Sequence, residues 1–285
     1  MPELCLITTC MGRLAHLQKT LPTAVALPDC TCVVVDYSCP ERSGDWVEQT
    51  YPQVKVVRVP GRTRFNPARA RNAGANHAEA PWLCFFDADG LLSPHFAERM
   101  LPVLRSSHFY AMDAPGNSPN VAGTVICPRS DFLRIGGYDE VFEGWGGEDR
   151  DFYARLRFHR LQRDVIPAEL VTSIPHDDDQ RVQHFDTKTP QVSQTVNLLY
   201  RTAKLDLMRL MERELERSER DQLYAEVKQV MEVWFRDRRA TEWRVKYFQR
   251  PTPLGSSLSS TLVYKLDAMN VSPPGQPAGK QPPIS

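Results

Sequence analysis

Short hydrophobic runs alternate with amphipathic stretches along the first part of the chain. The runs that favour β-strands lie at Leu4–Thr8, Thr31–Asp36, Val54–Val59 and Trp82–Phe86. Between them, helical patterns begin at about Arg13 and cover Trp46–Thr50 and Ala68–Ala78. This alternation predicts an α/β fold in which helices flank a mostly parallel central sheet.

The pattern changes after Pro190. Apolar residues recur every three or four positions from Val196 to Met211 and again from Leu223 to Trp234, which predicts two or three amphipathic helices that end near Phe248. Residues 250–285 carry few charges but seven of the 23 prolines. We therefore predict a sheet domain at 1–190, a helical extension at 191–249 and a Pro-rich, disordered tail at 250–285.

Composition narrows the range of functions. The 285 residues carry 35 Lys and Arg against 35 Asp and Glu, and this balance argues against a nucleic-acid partner. No apolar run approaches the roughly 20 residues of a membrane-spanning helix. The N-terminus has an acid where a signal peptide has positive charge, and none of the seven cysteines forms a Cys-x-x-Cys pair. We therefore expect reduced thiols and a cytoplasmic location.

The sequence does not decide what the C-terminal helices pack against. They can form a bundle that packs on the sheet domain or on a second copy of the chain, which would make the protein a homo-oligomer. The segment from Arg236 to Arg250 mixes arginines with aromatic residues. This mixture fits either a solvated helix face or peripheral contact with an anionic membrane.

Two carboxylates follow the most apolar predicted strand, in Asp87-Ala88-Asp89. Ligands of parallel sheets bind at the carboxyl ends of the strands, and carboxylate oxygens suit Mn²⁺ or Mg²⁺. A neutral imidazole can complete such a site. His176 and His184 are both candidates, and we favour His176 because it follows the predicted strand at Leu170–Ser173.

Arginines gather just before that strand. Arg62, Arg64, Arg69 and Arg71 lie within ten residues, and together they can neutralise a diphosphate. Each of them can equally line an exposed helix face. Phe65, in the same segment, can stack on a base or fill the core.

A glycine-rich loop with a tryptophan leads into a predicted helix, in the order Gly144-Trp145-Gly146-Gly147-Glu148-Asp149. Glycines allow the loop to adapt to a ligand, and the indole offers an apolar face for a sugar. At the helix start, the helix dipole favours ionised Glu148 and Asp149. An ionised carboxylate can remove a proton from an attacking hydroxyl.

These segments together resemble the beta-1,4-galactosyltransferase family, and more loosely the inverting family 2 glycosyltransferases. The resemblance covers about residues 1–185 and rests on Phe65-Asn66-x-Ala68, Asp87-x-Asp89, Gly123 and the run Phe132–Asp151. It implies a GT-A fold, a UDP-sugar donor, a manganese ion and inversion at the anomeric carbon. The sugar it favours is of the galactose or N-acetylgalactosamine type, with another UDP-sugar of family 2 as the alternative.

The resemblance also implies roles for residues. Asp149 would be the catalytic base, Glu148 would hold the acceptor, and Trp145 would contact donor and acceptor. The cation would be held by Asp89, Asp87 and His176. The donor nucleotide would be bound by Thr8, Arg13, Asp36, Phe65, Arg62, Arg69, Arg71, Asp87 and Gly123.

This sequence departs from the family pattern at two positions. Pro67 stands where the family has an arginine, so a phosphate contact would have to come from Arg62, Arg69 or Arg71. Arg150 stands where the family has a further acid, which leaves the acceptor open among a glycan, a lipid-linked sugar and a small molecule.

Two other classes of function are open. A nucleotidyltransferase would also combine an α/β sheet with carboxylates and arginines, but the chain has no Gly-rich phosphate loop near its N-terminus. A non-catalytic scaffold would use the C-terminal helices for assembly. The intact carboxylates at positions 87, 89, 148 and 149 argue against it.

Overall fold

The structure is a computed structural model that describes residues 2–113, 121, 123–174, 184–185, 189–251 and 253–268. The chain divides into two compact units, Met1–Asn197 and Leu198–Ser285. The division falls inside one long helix.

The first unit alternates strands and helices, as the hydrophobic pattern predicts. Its described strands are β1 (Leu4–Cys10), β2 (Cys30–Asp36), β3 (Lys55–Arg58), β4 (Trp82–Phe85), β5 (Gly90–Leu92), β6 (His108–Met112), β7 (Val125–Pro128), β8 (Gln162–Ile166) and β9 (Val171–Ser173). Its described helices are α1 (Leu14–Val25), α2 (Ser43–Thr50), α3 (Pro67–Ala75), α4 (Phe96–Met100), α5 (Arg129–Arg134), α6 (Glu148–Phe158) and the first turns of α7 (Pro190–Met211).

The central sheet has the strand order β3-β2-β1-β4-β7-β6-β8. Strands β3, β2, β1 and β4 are parallel to one another, β7 is antiparallel to both of its neighbours, and β8 is parallel to β6. The prediction of a mostly parallel sheet with flanking helices is therefore confirmed. Strands β5 and β9 form a small antiparallel pair beside it.

The strand order places a crevice at the carboxyl ends of β1 and β4. From β1 the chain winds outward through β2 and β3, and it then returns to pair β4 with the other side of β1. Open sheets bind ligands where the winding reverses in this way. The segments at this point begin at Met11 after β1 and at Phe86 after β4.

Both faces of the sheet are buried. Along β1, Leu4 and Leu6 belong to one core cluster, while Cys5 and Ile7 belong to the cluster on the other face, as the two-residue period of a strand requires. The seven cysteines are free. Cys5 packs as a small apolar side chain, and burial raises the pKa of its thiol to about 11.

The helical extension is confirmed in part. Helices α7 and α8 (Arg217–Asp237) are present, but the next segment, predicted to be helical up to residue 249, is the strand β10 (Thr241–Pro251). The reason is the period of the burial pattern: Trp243 and Val245 are buried, whereas Glu242 and Arg244, the residues that precede each of them, are exposed. An alternation of two is the pattern of a strand.

The beginning of the predicted tail also has structure. Strand β11 (Ser257–Leu266) pairs with β10 as an antiparallel hairpin, and the Trp243 and Tyr264 rings lie 5.3 Å apart. The prediction of disorder is wrong for this strand, because aromatic and branched residues on β11 find cross-strand partners on β10. Residues 269–285 lie outside the described part. None of the described helices is long and apolar enough to cross a membrane.

Candidate active site

Helix α3 begins at the Phe-Asn motif, and Asn66 is its cap. The Asn66 Oδ1 accepts a hydrogen bond from the Arg69 backbone N–H at 2.8 Å, and Pro67 occupies the first helical turn. Asn is a preferred N-cap residue and proline suits the first position. Pro67, the departure from the family pattern, is therefore a good helix-starting residue.

One face of α3 holds the loop that follows α5. Asn72 donates to the Tyr138 carbonyl at 2.9 Å and accepts from the Tyr138 N–H at 2.8 Å. Its amide also donates to Glu140 at 2.9 Å, as does the Arg69 Nε. Asn66 donates to the carbonyls of Glu140 and Phe142. Arg69, predicted to contact a phosphate, is thus paired with a carboxylate, and this pairing raises the pKa of its guanidinium.

Arg71, on the same helix, is buried among three carboxylates. Its Nη2 lies 2.9 Å from Asp87 Oδ1, and its Nη1 lies 3.1 Å from Glu148 Oε1 and 3.0 Å from Asp149 Oδ1. The guanidinium also stacks over the Tyr138 ring at 5.1 Å from the centroid. One cation thus faces three acids, so the cluster carries an excess of negative charge when all of them are ionised.

The electrostatics of Asp149 follow from this arrangement. Burial raises the pKa of the Asp149 carboxyl, Arg71 opposes that rise, and Glu148 and Asp87 add to it. The net shift is upward, well above the usual value of an aspartic acid. The side chain is 23% exposed, so an acceptor or water can reach it.

Gly123 completes the cluster from the strand side, just before β7. A Cβ built at this position would lie 2.9 Å from Asp87 Oδ2, 3.2 Å from Arg71 Nη2 and 3.4 Å from Asp149 Oδ2. Any side chain here would press on the carboxylates. The structure thus brings together Arg71, Asp87, Gly123, Glu148 and Asp149 from four separate segments of the chain.

Asp87 and Asp89 occupy a tight turn after β4. The Gly90 N–H donates to the Asp87 carbonyl at 2.8 Å, and the Asp89 carbonyl accepts from the Ile174 N–H at 2.9 Å. The Asp89 side chain is buried, whereas that of Asp87 is 41% exposed. In the described part of the chain, no group of three or more His, Cys, Asp and Glu is arranged to hold a metal ion. The predicted further ligand, His176, lies outside the described residues.

The other candidate histidine lies at the end of β1. The His184 imidazole fills the space beside Gly12, whose φ is +67°, so a side chain at position 12 would collide with the ring. The His184 carbonyl accepts a hydrogen bond from the Phe65 N–H at 2.9 Å. Phe65 lies between Tyr37 and Phe185, with ring centroids 5.5 and 5.9 Å away. An aromatic cluster therefore borders the carboxyl ends of β1 and β2.

The remaining predicted donor residues lie at the same edge of the sheet. Thr8 is buried in β1, and its hydroxyl has no hydrogen-bond partner among the described residues. Arg13 immediately precedes α1. Arg62 is exposed, and its N–H donates to Ser38 Oγ at 2.9 Å. Thr8 and Arg13 thus lie in or after β1, and Arg62 lies after β3.

Asp36 has a structural task at the end of β2. One carboxylate oxygen accepts from the Cys39 N–H at 2.8 Å, and the other accepts from the Gly44 N–H at 2.7 Å and from Ser43 Oγ at 3.2 Å. These bonds fix the start of α2. The resemblance assigned Asp36 to binding of the donor nucleotide and missed this structural role, which no local pattern reveals.

The Trp145 loop is built on three glycines with positive φ angles. They are +71° at Gly144, +86° at Gly146 and +107° at Gly147, values that favour glycine. Trp145 itself is partly buried. The loop is followed directly by α6, which begins with Glu148.

Two family models match this part of the chain. Residues 5–125 match the one described as glycosyl transferase family 2, and residues 105–186 match the one described as the N-terminal domain of galactosyltransferase. The fold is of the GT-A type, and both matches are to families of glycosyltransferases. The resemblance predicted from the sequence is confirmed.

The curated relatives include a glucosyltransferase and a beta-1,4-galactosyltransferase. The chain is 24% identical over 237 residues to validoxylamine A glucosyltransferase of Streptomyces hygroscopicus subsp. jinggangensis, covering 62% of this chain and 56% of the relative. It is 32% identical over 165 residues to human beta-1,4-galactosyltransferase 1, covering 51% of this chain and 41% of the relative. The chain thus spans about half the length of the curated relatives it matches.

Solved structures support the fold. TarS of S. aureus (residues 1–349) is similar with a TM-score of 0.55 at 14% identity, over 82% of this chain and 72% of that one. The mannosyltransferase PcManGT of Pyrobaculum calidifontis, solved with GDP-Man and Mn²⁺, is similar with a TM-score of 0.54 at 14% identity, over 79% and 74% of the two chains. At these identities the likeness concerns the fold alone.

Proposed function

We propose that this protein transfers a sugar from a UDP-sugar to an acceptor hydroxyl, with inversion at the anomeric carbon. The observation that carries the proposal is the position of Asp149. It lies at the start of α6, directly after the glycine-tryptophan loop, and its carboxylate is held 3.0 Å from the buried Arg71 beside the turn that carries Asp87. A partly exposed carboxylate there suits a general base.

The chemistry follows from the ionisation of Asp149. Its raised pKa makes it a stronger base than an ordinary aspartate, while Arg71 keeps an ionised fraction available. The ionised carboxylate takes the proton from the acceptor hydroxyl. The hydroxyl oxygen then bonds to the anomeric carbon while the bond from that carbon to the UDP oxygen breaks. Glu148, buried beside it, holds and orients the acceptor.

The donor would lie across the carboxyl ends of β1, β2 and β4. We assign Thr8 and Arg13 to the wall of the nucleotide pocket and Phe65 to contact with the base. Arg69 and Arg71 bind carboxylates, so the exposed Arg62 is our candidate for direct contact with the diphosphate. Asp36 accepts three hydrogen bonds from the start of α2 and its approach, which leaves its Oδ1 able to accept another, and we keep it as a residue on the nucleotide side of the pocket.

Asp89 and Asp87 would hold a divalent cation, Mn²⁺ or Mg²⁺, with His176 as the further ligand. The donor set fits such a hard ion, because Gly123 leaves space beside Asp87 Oδ2 and the cluster has more acids than bases. When bound, the cation supplies charge stabilisation to the departing UDP. The fully buried Arg71 holds Asp87 in place from the opposite oxygen.

We favour a galactose or N-acetylgalactosamine donor, with another UDP-sugar of the family 2 type as the alternative. The support is the match at residues 105–186, which contains the Trp145 loop. The reduced state of the seven cysteines agrees with a compartment such as the cytoplasm that keeps thiols reduced.

The test is UDP release from a panel of UDP-sugars in the presence of Mn²⁺, with and without candidate acceptors. We expect release that is selective for one sugar. We also expect Asp149→Asn to lose at least about a hundredfold in transfer, the scale of a general base, while it still binds UDP. Asp131→Asn is the matched control, since Asp131 lies in the first turn of α5 and pairs with Arg134. Near-normal turnover in Asp149→Asn would refute the mechanism. The absence of UDP release with every donor would favour the non-catalytic scaffold.

A further inference from the structure

We infer that the first turns of α7 position the Trp145 loop for acceptor binding, and that Asn197 is the residue that does so. The inference rests on the proposed function, because it extends the acceptor side of that site to a second segment of the chain. Asn197 lies about 50 residues after Trp145 in the sequence. Neither family model reaches Asn197.

The Asn197 side-chain amide donates hydrogen bonds to the loop on both sides of Trp145. Its Nδ2 donates to the Glu143 carbonyl at 3.0 Å and to the Gly146 carbonyl at 2.6 Å. These two carbonyls lie on either side of Trp145, so one side chain fixes both ends of the short segment that carries the indole. Asn197 is fully buried, and a buried amide that donates two hydrogen bonds contributes to the stability of the groups it joins.

The glycines allow this approach. A Cβ on Gly144 would lie 2.6 Å from Ser193 Oγ, one on Gly146 would lie 3.3 Å from Gln194 Cγ, and one on Gly147 would lie 3.0 Å from Asn197 Cβ. Ser193 and Asn197 are one helical turn apart on α7, so they present one face to the loop. The three glycines therefore serve two needs, a positive φ and close packing against α7.

The loop leads directly to the reacting carboxylates. Gly147 is the cap of α6, and Glu148 and Asp149 follow it at once. Asp87, in contrast, follows β4 and pairs with Arg71 of α3. Loss of the Asn197 bonds should therefore displace Trp145, while Arg71 still holds Glu148 and Asp149 beside Asp87, and it should disturb acceptor use more than donor binding.

The experiment compares Asn197→Ala and the milder Asn197→Ser with Thr195→Ala. Thr195 is on the same helix, and within the described residues its hydroxyl donates to the Gln191 carbonyl of that helix. We expect Asn197→Ala to lower kcat/KM for the acceptor by about tenfold or more, since misplacement by ~1 Å can cost ~100-fold. UDP binding should change less than about twofold, Asn197→Ser should be intermediate, and Thr195→Ala should match the unchanged protein.

Two further measurements separate positioning from general loss of stability. In a Trp145→Ala background, Asn197→Ala should have little additional effect, because both changes act on the same loop. Amide hydrogen exchange in Asn197→Ala should increase at residues 143–147 and stay unchanged at residues 66–72. Additive effects in the double variant, or equal losses of UDP binding and acceptor use, would overturn the inference. If no UDP-sugar reacts even with the unchanged protein, the proposed function fails, and hydrogen exchange still decides whether Asn197 holds the loop.

Discussion

Arg71 illustrates how one residue organises this site. Its guanidinium is buried, and it contacts Asp87, Glu148 and Asp149, which come from two segments far apart in the chain. The guanidinium of an arginine presents five N–H donors in a rigid planar fork, whereas a lysine presents one compact ammonium group with three donors. Arg71 therefore sets both the relative positions of the acids and the ionisation of Asp149.

We expect Arg71→Lys to shift the pH dependence of transfer. The base acts when it is ionised, so activity rises with pH through the pKa of Asp149, which burial and the neighbouring acids have raised. Arg71 lowers this pKa, and a lysine would lower it less because it loses the fork. The acidic limb of the pH profile of kcat should therefore move to higher pH, so that the variant loses more activity on the acidic side of the profile than at high pH.

Arg134→Lys is the matched control, because Arg134 pairs with Asp131 on α5, outside the cluster. Its pH profile should coincide with that of the unchanged protein. An unshifted acidic limb in Arg71→Lys would show that Asp149 does not control the rate.

At the scale of elements, α3 acts as a rigid support for the site. Its residues Asn66, Arg69 and Asn72 are three apart and face the loop at 138–142, while Arg71 points to the carboxylates. The sequence predicted the helix, and the capping residues Asn66 and Pro67 explain where it starts. It did not indicate which face of the helix meets which loop.

We expect Asn72→Ala to destabilise the protein by about 1–3 kcal/mol, because it leaves the N–H and carbonyl of Tyr138 without their partner. Urea unfolding followed by circular dichroism measures this change. Asn76→Ala, at the exposed end of the same helix, should change stability by less than about 0.5 kcal/mol. Equal values for the two variants would contradict the support role of Asn72.

The two units differ in how well their elements could be predicted. Strand β4 was evident because each of its positions is apolar and it is buried in the sheet. The hairpin of β10 and β11 was not, since charged residues alternate with aromatic ones over Thr241–Pro251 and the same letters also suit a helix face. Only the pairing of Trp243 with Tyr264 across the strands distinguishes the two.

At the scale of the whole molecule, the site exists only in the folded chain. It combines the ends of β1, β2 and β4 with α3 and α6, so a ligand that bridges these elements binds the folded state alone. Such a ligand stabilises the protein by about 2.7 kcal/mol at a concentration of about 100 times Kd.

We therefore expect UDP together with Mn²⁺ to raise the melting temperature by several degrees, and EDTA to remove most of that rise. Asp89→Asn should abolish the part that depends on the metal, because Asp89 is the principal proposed ligand. Asp164→Asn, on the edge strand β8 and paired with Arg105, is the control. An equal rise in Asp89→Asn would contradict the assignment of Asp89 to the cation.

The sequence by itself determined what depends on neighbouring residues. Hydrophobic periods predicted strands β1 to β4 and β9 and the helices α7 and α8, but not β6, β7 and β8 of the central sheet. Glycines marked the Trp145 loop, and the resemblance of the motifs indicated a GT-A glycosyltransferase. Only the tertiary structure decided that Arg71 faces carboxylates, that Asp36 fixes α2 and that Asn197 brackets Trp145. Each of these contacts joins residues that are distant along the chain, and a local period carries no information about which distant surface a side chain will meet.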